Sequence, residues 1–80
     1  MNKEYWFSVI IEPCEEGGYY AECPTLPGCV TQGETYAEAV GNLQDAIRGY
    51  VESLLAHGEP IPGKKSRQRY KVELPVSVAA

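Results

Sequence analysis

The sequence predicts an α+β domain in the order β-β-β-α-β, an antiparallel sheet with one long helix packed on one face. Three observations predict it. Tyr5 to Glu12, YWFSVIIE, is aromatic and β-branched, with alternate residues apolar. Two shorter alternating runs, Tyr19–Cys23 and Cys29–Gly33, follow across turn-forming residues. Apolar residues then recur at helical spacing from Tyr36 to Leu54. A chain of 80 residues has room for one domain, spanning 1–80.

The first strand, about 5–12, places Tyr5, Phe7, Val9 and Ile11 on the core face and Trp6, Ser8, Ile10 and Glu12 on the other. Pro13 to Gly18, PCEEGG, is a turn, and its two glycines suit a hairpin connection. The second strand, about 19–23, alternates Tyr19, Ala21 and Cys23 against Tyr20 and Glu22. Pro24 ends its ladder for want of an N–H, Pro24–Gly28 turns the chain, and 29–33 returns it.

Thr35-Tyr36-Ala37-Glu38 reads as a capping box opening a helix over about 36–57. Glu38, Asn42, Asp45, Arg48 and Glu52 lie off its apolar stripe, with Arg48 and Glu52 spaced to pair. Gly58 stops the helix, and Pro60 and Pro62 lie beyond it. A last strand, about 70–78, alternates Tyr70, Val72, Leu74 and Val76 with Lys71, Glu73, Pro75 and Ser77. Pro75 places the end of that strand at a sheet edge.

The net charge of −4 opposes direct nucleic-acid binding by this chain and favours a basic partner. No apolar run approaches the length that spans a bilayer, and the N-terminus lacks a signal-peptide pattern, so a cytoplasmic protein is expected. Three cysteines without an export signal are expected as free thiols. Cys14, Cys23, Cys29 and His57 lack zinc-site spacing, so no metal or other cofactor is expected. His57 falls at the helix C-terminus, where the helix dipole suits a solvated imidazole better than a nucleophile's base. Neither phosphate-loop pattern occurs among the glycines. Lys64, Lys65, Arg67 and Arg69 form a basic connector.

An acidic group, Glu12, Glu15, Glu16 and Glu22, marks the first hairpin. A solvated acidic edge accounts for it most simply, and a surface for a basic partner is the functional alternative. Trp6, Ile10 and Tyr20 fall on the face the helix does not cover. Such an aromatic patch marks an interaction site unless the last strand or a second copy covers it.

Ile11 to Ile47 closely resembles the HicB family of type II antitoxins. Glu15-Glu16-Gly17-Gly18-Tyr19, Glu22-Cys23-Pro24, Leu26-Pro27-Gly28-Cys29, Gly33-Glu34-Thr35 and Glu38-Ala39 match its composite motif in order and spacing. Gly58-Glu59-Pro60-Ile61-Pro62 resembles its segment after the helix. The resemblance implies a partial RNase H-like fold that is mostly non-catalytic. It also implies a partner, a small basic HicA toxin that cleaves RNA, which the antitoxin binds and masks. Glu12, Glu15, Glu16, Tyr20, Glu22, Pro24, Leu26 and Pro27 are the expected partner-binding residues, with no catalytic set. Many family members append an operator-binding domain, for which this sequence leaves no room after Val78. The alternatives are an orphan HicB-like interaction module and a divergent metal-dependent nuclease using Glu12, Glu22, Glu34 or Asp45. The small size and the aromatic face also predict a homodimer or higher homo-oligomer.

Overall fold

The computed structural model describes residues 2–62 and 72–79. The element order is β1 (Asn2–Pro13), β2 (Tyr19–Glu22), β3 (Val30–Gly33), α1 (Tyr36–Ala56) and β4 (Val72–Ala79). These form one four-stranded sheet in the order β3-β2-β1-β4, with each neighbouring pair antiparallel. The predicted Tyr70 and Lys71 of the last strand, and the basic connector from Lys64 to Arg69, lie outside the described residues.

β1 is longer than its predicted span because two partners share it. Asn2–Val9 pairs with β4, and Ile10–Pro13 pairs with β2. The last strand therefore extends the sheet sideways and does not lie over its open face. Pro75 falls within β4, opposite Trp6, and not at its end. β4 is an edge strand, so a missing N–H on its outer side costs no ladder bond.

The core lies between the sheet and α1. Phe7, Val9 and Ile11 from β1, Ala21 from β2, and Leu74, Val76 and Val78 from β4 are buried on one face. The helix meets them with Ala39, Leu43, Ile47 and Val51, one stripe at i, i+4 spacing. Tyr5 and Tyr19 are half-buried at the margin, and Tyr19 meets Tyr36 edge-on at 5.8 Å. Each buried Leu, Ile or Val contributes about 1.5–3 kcal/mol.

Local chemistry fixes both helix ends. The Thr35 hydroxyl accepts from the Glu38 N–H at 3.0 Å. The Glu38 carboxylate reaches one residue further back than in the standard box, accepting from the Glu34 N–H at 2.6 Å. At the other end Glu59 N–H reaches Leu54 C=O and Gly58 N–H reaches Leu55 C=O, at 2.9 and 3.1 Å. Gly58 has φ +67°, so this is the Schellman pattern with glycine in the left-handed position. His57 is the C-cap and is exposed, its Nδ1 lying 2.7 Å from Ser53 C=O. Arg48 does not pair with Glu52. It binds Asp45 at 2.6 Å instead, because its Nε donates to Ser77 C=O and holds the guanidinium toward β4.

Candidate partner-binding surface

The helix covers one face of the sheet, so the opposite face is open. Cross-strand pairing sets that face out in rows. Trp6 lies beside Pro75, Ile10 beside Glu22 and then Val30, and Glu12 beside Tyr20 and then Gln32. Trp6 is 56% exposed and Val30 49%, while Ile10, Tyr20 and Glu22 are half-buried. Apolar and acidic side chains thus alternate across this face: Glu22 sits between Ile10 and Val30, and Glu12 lies near the first hairpin.

The Tyr20 hydroxyl donates to Glu22 at 3.2 Å. Partial burial of the phenol, that hydrogen bond, and the charges of Glu22 and Glu12 all push its pKa upward. Among the described side chains Arg48 is the one Lys or Arg, and it lies on α1, behind the sheet. The described open face therefore carries negative charge around aromatic surface with no counter-charge of its own.

The outer edges of the sheet are occupied by polar side chains of α1. On β4, Gln44 donates to Pro75 C=O at 3.2 Å and Arg48 to Ser77 C=O at 3.1 Å. On β3, Asn42 donates to Gln32 C=O at 2.8 Å, and the Val30 N–H turns back to Gly28 C=O. Strand edges with engaged carbonyls are poor templates for an added strand. Neither these caps nor the exposure of Val30 was read from the sequence. The alternation of YKVELPVSV showed a strand but not the strand beside which it would lie.

The predicted binding residues divide among separate places. Glu12, Tyr20 and Glu22 share the open face. Glu15 and Glu16 are exposed on the turn between β1 and β2. Pro24 and Pro27 lie on the turn between β2 and β3, half-buried and exposed respectively. Leu26 differs from expectation: it is fully buried, and the turn's own hydrogen bonds (Leu26 N–H to Cys23 C=O, Cys29 N–H to Leu26 C=O, each 3.0 Å) hold it against the core. It fixes the turn and offers no contact surface.

An open concavity of about 600 Å³ separates the hairpin tip from the helix start, lined by Glu16, Gly18, Gly33, Glu34 and Glu38 among others. Its carboxylate Glu38 is already committed to the helix cap. The acids considered for metal chemistry do not converge. Glu12 and Glu22 are on the open face, Glu34 precedes the helix, and Asp45 is on the helix paired with Arg48. Among the described residues no three His, Cys, Asp or Glu side chains form a metal-holding group. Cys14, Cys23 and Cys29 are free thiols. No described helix is long and apolar enough to cross a membrane.

Residues 7–75 match the profile of the "HicB_like antitoxin of bacterial toxin-antitoxin system". The chain belongs to the HicB-like antitoxin family. A UPF0150 protein of Synechocystis sp. is 47% identical over 58 residues, covering 72% of this chain and 73% of its own length. Antitoxin HicB 1 of Photorhabdus laumondii is 36% identical over 98% of this chain, which spans 50% of that protein. In fold, the N-terminal domain of Burkholderia pseudomallei antitoxin HicB superposes with TM-score 0.67 at 25% identity, covering 98% of each chain. A chain of a structure described as a HicA3 and HicB3 toxin-antitoxin complex superposes with TM-score 0.58 at 23% identity over the full length of both, a likeness of fold. The HicB N-terminal fold is thus the four-stranded antiparallel sheet with one helix seen here, and the chain spans about half the length of the curated HicB antitoxin it matches.

Proposed function

We propose that this HicB-like chain is an antitoxin that binds a HicA-type RNA-cleaving toxin and masks its active site, without catalysis of its own. The observation that carries this reading is the match to the HicB-like antitoxin profile along most of the chain. The toxin-antitoxin complex among its structural neighbours supports a protein partner of that kind. The scattered acids of Glu12, Glu22, Glu34 and Asp45 support a role in binding over metal-dependent cleavage. The net charge of −4 suits a basic partner and disfavours direct operator or RNA binding by this chain alone.

We place the protein in the cytoplasm, where its free thiols stay reduced and its partner's RNA substrate is found. We also propose that it self-associates, as small domains with exposed aromatic surface commonly do. Co-purification with small basic HicA-type proteins encoded in the same genome, followed by an RNA-cleavage assay, tests the function. The expected result is a stable complex with cleavage suppressed at equimolar antitoxin. Absence of a complex would overturn the antitoxin reading, and Mg²⁺- or Mn²⁺-stimulated cleavage by the purified chain alone would overturn its non-catalytic part. Light scattering that returned the monomer mass at micromolar concentration would remove the self-association.

A further inference from the structure

We infer that Cys23 and Cys29 form a reversible dithiol–disulfide site, closed by exchange with a small disulfide of the glutathione class, and that Cys14 stands outside it. The inference rests on the turn between β2 and β3 and is independent of the antitoxin reading. The structure, with all three thiols free, is the reduced form of that site.

The ladder between β2 and β3 runs from the Tyr19–Gly33 pair to the Glu22–Val30 pair. One step further along, Cys23 stands opposite Cys29, and its N–H donates to the Cys29 C=O at 2.9 Å. Both side chains belong to the core, 1% and 5% exposed. Opposed residues bonded in this way have Cα atoms about 5.5 Å apart, inside the span that a disulfide bridges. Two successive turns hold the pair there. Leu26 N–H returns to Cys23 C=O, and Cys29 N–H returns to Leu26 C=O, each at 3.0 Å. Pro24 and Pro27 each take the second position of a turn, where their fixed φ is already correct. Gly28, at φ +80°, supplies the left-handed third position of the second turn. The loop is therefore closed before any sulfur bond forms, and the closure entropy is already met. Burial foremost, and the nearby Cys29 as well, raise the Cys23 thiol, as two close sulfurs in a core should.

Cys14 cannot join them. It lies on the other turn, beyond Tyr19, and Tyr19 is itself about 13 Å along the strand from Cys23. Burial keeps the paired thiols protonated, so exchange begins when the turn opens. The Cys29 thiolate, the less buried of the two, attacks one sulfur of the small disulfide and expels the other as a thiolate, which takes up a proton. The Cys23 thiolate then attacks the Cys29 sulfur and expels the second small thiolate, which is protonated in turn. Two protein thiols and one small disulfide thus become one protein disulfide and two small thiols. The Cβ atoms of such a strand pair lie about 4.5–5.5 Å apart, wider than the roughly 3.5–4.5 Å of a disulfide, so closure draws the strand ends together. A bond closed under that strain is readily reduced again, which suits a reversible site and not a permanent staple.

The test exposes the folded full chain carrying Cys14→Ser to oxidised glutathione, alkylates the thiols that remain in denaturant, and measures the intact mass. Wild type is treated in parallel, with peptide mapping of the oxidised product, so the result does not depend on the variant's fold. The expected product of Cys14→Ser is lighter than the reduced chain by two hydrogens and carries no glutathione. It has lost both alkylation sites, and dithiothreitol restores them. Wild type should give the same Cys23–Cys29 bond with Cys14 outside it. Stable glutathione adducts on both Cys23 and Cys29, a bond from either to Cys14 or to a second chain, or both thiols still free after the exposure would each overturn the site.

Discussion

Cys23 follows β2 with 1% of its surface exposed, and burial pushes its thiol up to about 11. Burial raises the Cys29 thiol in the same direction. The folded state keeps these protons after the unfolded chain has begun to lose them near pH 9, so stability is fully present below that pH. It falls as pH rises from 9 toward about 11, the folded value for Cys23. Thermal melts across that window should show a declining midpoint, with a shallower decline in Cys23→Ala. Native alkylation followed by mass spectrometry should modify the half-buried Cys14 first and all three thiols only in denaturant. Leu26 is the other informative residue. Its place on the Pro24–Gly28 turn makes it an expected contact, yet its side chain is buried, and Leu26→Ala should cost about 3 kcal/mol in urea denaturation. The motif specified that a leucine belongs there without specifying which way it points.

At the scale of elements, the join between β3 and α1 is the tightest point. A Cβ on Gly33 would lie 2.7 Å from Ala39 Cα and 2.8 Å from Glu38 carbonyl carbon, both backbone atoms that cannot swing away. Gly33→Ala should therefore destabilise by about 2–3 kcal/mol, more than Thr35→Ala, which removes the cap and should cost about 1 kcal/mol. Denaturant titration of both variants checks the order. The capping box was legible because its donor and acceptor are local, three residues apart. The need for glycine at 33 was not, because the colliding atoms belong to the next element. The same holds for Arg48: sequence spacing favoured Glu52, but the Ser77 carbonyl, 29 residues away, draws the guanidinium elsewhere. Arg48→Ala combined with Gln44→Ala should lose about 1–2 kcal/mol and raise aggregation seen by light scattering, because it uncovers the β4 edge.

For the whole molecule, charge and topology act together. A chain of net charge −4 with carboxylates on its open face should meet a basic toxin at a rate that falls as salt rises. Stopped-flow association with such a partner should slow with salt more than dissociation quickens. Equal salt effects on both rates would mean that charge pairs carry the complex.

The sequence by itself determined the element order, the core face of the first strand, the helix start and stop, and the family. Each of these depends on local periodicity, capping chemistry or residues close together along the chain. Only the tertiary structure decided that β4 pairs beside β1 and leaves the sheet's far face open, that α1 seals the outer edges, and that Leu26 turns inward. Those outcomes depend on which distant segments become neighbours. A strand's alternation shows that it has two faces, but packing alone decides what each face meets.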